Sequence, residues 1–95
     1  MKKSKKVHGV IMRHDGTIEH VVFSGKMINL KELQDSVDGY IEFLWLEDNK
    51  IMVVNEDGKI KGLPNNYNAT KMIQEQGIFD YIVGNVLLID RKYVD

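Results

Sequence analysis

Two neighbouring segments of the chain, residues 40–46 and 51–55, are largely apolar on both of their alternating sets of residues. In residues 40–46, Ile41, Phe43 and Trp45 share one side of an extended strand, and Leu44 and Leu46 share the other. A strand that is apolar on both sides must be covered on both sides, whereas a one-sided strand can face water. The sequence therefore predicts a sheet with a layer on each face. We expect the first helix to cover one face and the first hairpin or another subunit to cover the other.

Two Asp-Gly pairs, at residues 15–16 and 57–58, mark hairpin turns. Asp-Gly favours a two-residue turn because both of its central positions need a positive φ, which suits the twist of the flanking strands. We therefore predict a first hairpin followed by a three-stranded meander. The predicted strands are residues 7–12 and 18–23 in the hairpin, and residues 40–46, 51–55 and 59–62 in the meander.

Two short helices are predicted from their end signals. Asn29 can cap the first helix, with Glu32 completing a capping box and Gly39 supplying a left-handed stop. The second helix is predicted over residues 69–76, ended by Gly77, and a last strand over residues 81–89. The order of elements is β-β-α-β-β-β-α-β, which is an α+β fold with a mainly antiparallel sheet.

The length and composition predict one domain. Ninety-five residues, 43% of them apolar, suffice for a single hydrophobic core. The chain has no cysteine, which excludes a disulfide scaffold and a thiolate nucleophile and fits a reducing compartment such as the cytoplasm. Residues 1–6 hold four lysines and are predicted to be a basic disordered tail, and residues 7–95 a single α+β domain.

The charge distribution argues against nucleic acid and membrane as partners. The whole chain has a net charge of −1, so the part after the lysine-rich tail carries about −5. A nucleic-acid binder gains most of its affinity from cations placed against phosphates, which an acidic body does not offer. No apolar run approaches the roughly 20 residues needed to cross a bilayer.

Three histidines, His8, His14 and His20, recur at intervals of six and raise the possibility of a metal site. With a two-residue turn at 15–16, Ile11 would face His20, and this would place His20 on the opposite sheet face from the other two. We therefore predict no metal site. No serine lies in a nucleophile elbow, and no glycine cluster forms a phosphate loop, so we predict no catalytic residues, no cofactor and no enzymatic activity.

The only stretch dense in turn formers is residues 63–68, which contains the sole proline. Asn65, Asn66 and Asn68 could offer amide donors and acceptors to a ligand or partner, with Tyr67 as a stacking surface. Alternatively, the asparagines adopt left-handed backbone conformations and cap the next helix. These four residues are the predicted binding site.

Several motifs in the central and C-terminal parts of the chain occur in a fixed order and spacing. They are Leu33-Gln34-Asp35-Ser36-Val37-Asp38-Gly39-Tyr40-Ile41-Glu42, Val54-Asn55-Glu56-Asp57-Gly58-Lys59, Gly62-Leu63-Pro64 with Asn66, and Asp80-Tyr81-Ile82-Val83-Gly84-Asn85-Val86-Leu87-Leu88-Ile89. In these motifs the chain resembles a family of small uncharacterised proteins of phages and mobile elements. The resemblance spans about residues 7–89 and departs at Asp38, where the family is expected to have glycine. It implies a phage or prophage origin, and hence the host cytosol as the compartment, and an accessory role in host takeover or counter-defence, without any assigned catalytic residue.

These observations favour a non-enzymatic binding protein of phage type. It would act by stoichiometric capture of a host protein or of a small nucleotide-like ligand, and we expect it to be a homodimer in the cytoplasm. The alternative is a self-associating structural or interaction module, and a small enzyme is a third hypothesis. Because the strands are apolar on both faces, the oligomeric state separates the first two hypotheses in part.

Overall fold

A computed structural model describes residues 5–94. Its five strands form one antiparallel sheet in the order β2-β1-β5-β4-β3, and the two helices lie on opposite faces of that sheet. This confirms the predicted α+β class and the order of its elements, except for one strand of the meander. The elements are β1 (Lys6–Met12), β2 (Ile18–Ser24), α1 (Leu30–Val37), β3 (Ile41–Trp45), β4 (Lys50–Asn55), α2 (Tyr67–Glu75), β5 (Val86–Asp90) and a 3-10 helix (Arg91–Tyr93).

The C-terminal strand β5 joins the two halves of the sheet. It pairs with β1 on one side, where Val10 faces Leu88, and with β4 on the other, where Met52 faces Leu88. The first hairpin is therefore part of the same sheet and does not cover its second face, contrary to one of the two expectations. A long connection, which contains α2, leads from β4 to β5 and brings β5 between β4 and β1.

Each face of the sheet carries its own core. One face packs against α1 through a buried cluster that includes Leu33, Val37 and Val53. The other face packs against α2, whose Ala69 and Ile73 are fully buried with Met52. The layer on the second face is thus α2, rather than the hairpin or another subunit, and it meets the requirement set by strands that are apolar on both sides.

The first hairpin has a longer turn than predicted. The N–H of Arg13 donates to the carbonyl of Thr17 at 2.9 Å, and Gly16 has a φ of +92°. The loop therefore contains three residues, with glycine in the left-handed position, instead of two. As a result Met12 faces Ile18 and Val10 faces His20, one position away from the predicted register.

Residues 59–62, predicted as the third strand of the meander, form consecutive turns instead. The Asn55 side chain accepts from the N–H of Asp57 at 2.9 Å, and the N–H of Gly58 donates to the Asn55 carbonyl at 3.2 Å. Neither Asp57 nor Gly58 has the positive φ that a two-residue hairpin turn requires. The chain therefore leaves the sheet after β4.

The predicted last strand begins later than expected, at Val86. Gly84 has a φ of +75°, and its N–H donates to the carbonyl of Pro64 at 2.7 Å. This bend separates two buried residues from the strand itself: Ile82, which packs in the core beside α2, and Val83, which forms a single bridge with Asn65.

The capping box of α1 is confirmed: Asn29 accepts from the N–H of Glu32 at 2.8 Å, and the Glu32 side chain accepts from the N–H of Asn29 at 3.1 Å. The left-handed stop is Asp38, with a φ of +59°, rather than the predicted Gly39. A side chain at Gly39 would lie 2.7 Å from Nδ2 of Asn55, so this position needs glycine for space and not for its backbone conformation.

The predicted core stripe of β3 is only partly correct. Ile41 and Phe43 are half-buried against the α1 face, but Trp45 is 59% exposed. β3 lies at the edge of the sheet, and Trp45 packs its ring against the edge of Phe43, with the Arg91 guanidinium 5.2 Å from its centroid.

The N-terminal boundary lies slightly earlier than predicted. β1 begins at Lys6, and the carbonyl of Lys5 accepts from the N–H of Gly25 at 3.0 Å. The rest of the predicted tail, residues 1–4, is outside the described residues. Neither helix within residues 5–94 has the length and apolar character that a membrane span requires.

Candidate functional site

A concavity among the described residues lies on the α2 face of the sheet, beyond the part that α2 covers. Along β1, Met12 is buried under α2, Val10 is half-buried and His8 is exposed; along β5 the cover likewise thins from Val86 to Leu88. The open end is a groove of about 460 Å³, within the usual size range of small-molecule sites. Its lining residues are His8, Gly9, Val10, His20, Leu46, Glu47, Asp48, Lys50, Met72, Gln76, Leu88, Ile89, Asp90, Lys92 and Tyr93.

The floor of the groove is apolar because of the strand register. Val10 and Leu88 face each other across β1 and β5, and their side chains point to the same face. Leu46 and Met72 border this floor from the end of β3 and from α2, and all four side chains are half-buried. A planar ring or another apolar body could rest on this surface.

Two histidines stand on the sheet side of the groove. His20 faces Val10, and His8 faces Val22, so both imidazoles lie on the groove face of the sheet. The prediction that His20 lies on the opposite face from His8 is wrong, because the three-residue loop shifts β2 by one residue relative to β1. No group of three or more possible metal ligands occurs among residues 5–94.

The rim carries both signs of charge. The Lys50 ammonium lies 3.4 Å from the Asp90 carboxylate, whose other oxygen accepts from the N–H of Lys92 at 3.0 Å. The N–H of Lys92, and after it the Lys50 ammonium, hold the pKa of Asp90 below its ordinary value of 3.8. Asp90 is therefore anionic at neutral pH, with its charge partly balanced by Lys50.

The end of α2 is attached to the rim. Oε1 of Gln76, the residue that ends the helix, accepts from the N–H of Glu47 at 2.8 Å. This bond ties α2 to the loop between β3 and β4, so that Glu47 and Asp48 stand at the mouth of the groove. Together the rim offers imidazoles and an ammonium to an anionic group, and carboxylates to hydroxyl or amino groups.

The four residues predicted to bind a ligand do not form one exposed surface in the structure. Asn66 is fully buried and caps α2, accepting from the N–H of Ala69 at 3.1 Å and donating to the carbonyls of Met12 at 3.0 Å and Gly84 at 2.9 Å. The capping alternative is therefore confirmed for this residue, and its side chain is not open to a ligand. None of the asparagines in residues 65–68 has the left-handed backbone conformation that the same alternative included.

The other three predicted residues are exposed. Asn65 precedes the cap, and Tyr67 and Asn68 form the first turn of α2 instead of a loop. Tyr67 is 74% exposed. A role of Asn65, Tyr67 and Asn68 in binding stays a prediction, and none of them lines the groove.

A second exposed surface surrounds an ion pair between two connecting segments. The Lys59 ammonium pairs with Asp80 and lies 4.0 Å from the centroid of the Tyr81 ring. Ile60 and Phe79, the neighbours of the two charged residues, are 90% and 98% exposed. Exposed apolar side chains mark a contact surface for another macromolecule where they form a contiguous patch.

The groove could not be predicted from any local motif of the sequence. Its residues come from both ends of the chain and from α2, so no local motif marks them. One signal was present: a three-residue reading of the turn His14-Asp15-Gly16 would have placed His20 beside Val10 and on the side of His8.

Comparison with known proteins gives one match. A protein-family model described as a domain of unknown function (DUF3846) matches residues 7–93. No curated protein and no solved structure matches the chain. Since the match covers nearly the whole of the described sheet and both helices, the chain belongs to the DUF3846 family.

Proposed function

We propose that this protein is a non-enzymatic binding protein that captures a small nucleotide-like ligand in the groove on the α2 face. The observation that carries the proposal is a concavity of about 460 Å³ with an apolar floor and a charged rim. An apolar surface with a few polar groups around it is the usual composition of a small-molecule site. A nucleotide combines the corresponding parts, a planar base and polar or charged substituents.

Different residues of the groove would contact the base and the substituents of such a ligand. The base would rest on Val10 and Leu88, which form the centre of the floor. His8, His20 and Lys92 could donate to a phosphate, whereas Glu47 and Asp48 could accept from hydroxyl or amino groups. Capture without turnover would be stoichiometric, as in an accessory phage protein that lowers the concentration of a signal molecule in the host cytosol. A phage origin is part of this proposal and rests on the resemblance of the sequence.

Native mass spectrometry of the purified protein, before and after incubation with a set of mono-, di- and cyclic nucleotides, tests the proposal directly. A ligand at 100 times its Kd would stabilise the fold by about 2.7 kcal/mol. For a domain of this size, that corresponds to a rise in Tm of roughly 10–20 °C. Retained ligand mass together with such a rise would support capture; no adduct and no rise with any nucleotide would refute it.

A groove-filling variant locates the site. Val10→Phe places an aromatic ring on the floor of the groove, and phenylalanine is a residue that suits a strand. The variant is expected to abolish both the ligand adduct and the rise in Tm. Tyr67→Ala is the matched control, since Tyr67 is exposed and does not line the groove. Ligand binding that survives Val10→Phe but is lost in Tyr67→Ala would move the site to the first turn of α2.

The second candidate function is capture of a host protein. The nearly complete exposure of Phe79 and Ile60 around the Lys59–Asp80 pair favours it, as does the exposed Tyr67. Phe79→Ser is expected to remove such a partner in a pull-down from host lysate without changing nucleotide binding. Loss of nucleotide binding in the same variant would contradict the separation of the two surfaces.

A further inference from the structure

β2 forms one edge of the sheet, and its hydrogen bonds to β1 show which backbone groups face outward. The N–H of Arg13 donates to Thr17 at one end of the hairpin, and the N–H of Gly25 donates to Lys5 at the other. Bonded and non-bonded pairs alternate in an antiparallel ladder, so the odd-numbered residues of β2 bond to β1. The residues whose backbone N–H and C=O point to the outer edge are Ile18, His20, Val22 and Ser24.

This edge has few of the features that usually prevent strands from pairing, since its one carboxylate, Glu19, is paired with Arg13. The sequence of β2, Ile-Glu-His-Val-Val-Phe-Ser, contains no proline and no lysine. Ile18 and Val22 are 63% and 52% exposed. The opposite edge, β3, is two residues shorter, and Glu47 and Asp48 follow it after Leu46. Of the two edges, β2 is therefore the better template for another strand.

We propose that β2 pairs antiparallel with β2 of a second copy of this chain, around a twofold axis at Val21. In this register Ile18 faces Ser24 of the second copy, and His20 faces Val22. Every outward backbone group of the strand then has a partner, which gives about eight hydrogen bonds across the axis. Moving the register by two residues in either direction leaves some of these groups unpaired.

The charges at the two ends of the hairpin are complementary in this arrangement. Lys5, Lys6 and Lys26 lie exposed at the end where β2 finishes. At the other end lie Asp15 and Glu19, the latter paired with Arg13. Antiparallel pairing at Val21 brings Lys26 opposite Gly16 of the second copy and so beside its Asp15, twice by symmetry. A parallel arrangement would instead bring like charges together.

Pairing would extend the sheet to ten strands and keep the groove face of both copies on the same side. Because His20 lines the groove, Val22 of the second copy would stand next to its open border. The pairing itself depends only on the edge of β2. It is therefore independent of any ligand in the groove.

Sedimentation velocity from low to high micromolar concentration, with amide hydrogen exchange followed by NMR, tests the proposal on the wild-type protein. We expect a dimer in which the amides of Ile18, His20, Val22 and Ser24 exchange at least about tenfold more slowly than in the monomer. Those of Val21 and Phe23 are protected in both states, because they bond to β1. A monomer at every concentration, or a dimer whose outward amides exchange fast, would overturn it.

A lysine introduced on one edge strand or the other tests which edge of the sheet forms the dimer. Val22→Lys places an ammonium at the proposed axis and is expected to give a monomer at all concentrations, whereas Trp45→Lys is its matched control on β3. The two residues are similarly exposed, at 52% and 59%. A dimer that survives Val22→Lys, or that is lost only in Trp45→Lys, would exclude pairing through β2. An added strand from another protein would appear as a mixed complex in place of the dimer, and would equally exclude self-pairing.

Discussion

Replacing Asn66 by alanine is expected to destabilise the fold strongly, although this residue lies in the stretch predicted from the sequence to bind a ligand. The side chain is fully buried and joins three parts of the structure: it caps α2 at Ala69 and donates to the carbonyls of Met12, at the end of β1, and Gly84, before β5. Alanine removes all three hydrogen bonds at once.

The magnitude follows from these bonds. Loss of the cap costs about 1 kcal/mol. Each of the two carbonyls that loses a donor in a buried setting costs about 1 kcal/mol more. The free energy of unfolding should therefore fall by about 3 kcal/mol, a large part of the roughly 5–10 kcal/mol expected for a domain of this size. The corresponding fall in Tm is roughly 12–24 °C.

Urea denaturation followed by far-UV circular dichroism measures this change. Asn68→Ala, the same substitution two residues later on the exposed first turn of α2, is the control and should change the free energy of unfolding by less than about 0.5 kcal/mol. Asn66→Ser keeps an oxygen for the cap and should recover about 1 kcal/mol. A loss below about 1 kcal/mol for Asn66→Ala, or equal losses for both alanine variants, would refute the structural role assigned to Asn66.

Two further predictions concern the left-handed residue that ends α1 and the ion pair made by Asp80. Asp38 ends α1 in the left-handed conformation, with a φ of +59°, so Asp38→Gly should raise the free energy of unfolding by about 0.5 kcal/mol. Asp35→Gly within the helix, which also removes the ion pair with Lys31, is the control and should lower it by roughly 0.5–1 kcal/mol. The hydrogen bond from the Lys59 ammonium, and after it that from the N–H of Tyr81, lower the pKa of Asp80 below its ordinary value of 3.8. A carboxyl whose pKa is lower in the folded state contributes stability that is present above its ordinary pKa and is lost as the pH falls through the lowered value. The urea midpoint should therefore fall between pH 5 and pH 3, and less so in Asp80→Asn; an equal fall in both proteins would show that Asp80 does not contribute.

Local chemistry made part of the fold readable from the sequence. The capping box of α1 lies within four consecutive residues, Asn29 to Glu32, and needs no tertiary contact to form. The two apolar sides of β4 likewise required a layer on each face of the sheet, because apolar surface is excluded from water wherever the chain places it. The fold class and the order of the elements followed from signals of this kind.

The helix that forms the second layer could be predicted from the sequence only in part. The helix predicted over residues 69–76 is present, but it starts earlier, at Tyr67, and ends at Glu75. Capping by Asn66 was only one of two alternatives that the sequence left open. Asn66 has the residue type of a loop and the environment of a core, since its partners Met12 and Gly84 lie 54 and 18 residues away in the chain. No local pattern can report bonds at such separations.

What the sequence by itself determined is the segments that become strands and helices, except for the strand wrongly predicted at residues 59–62, and the need to cover both faces of the sheet. Only the tertiary structure decided the register of the first hairpin, the central place of β5 and hence the groove. A strand has a period of two, so one additional loop residue moved His20 to the face of His8. The groove exists because β1 and β5 are distant in the chain but adjacent in the sheet, and because α2 is too short to cover the whole of their shared face.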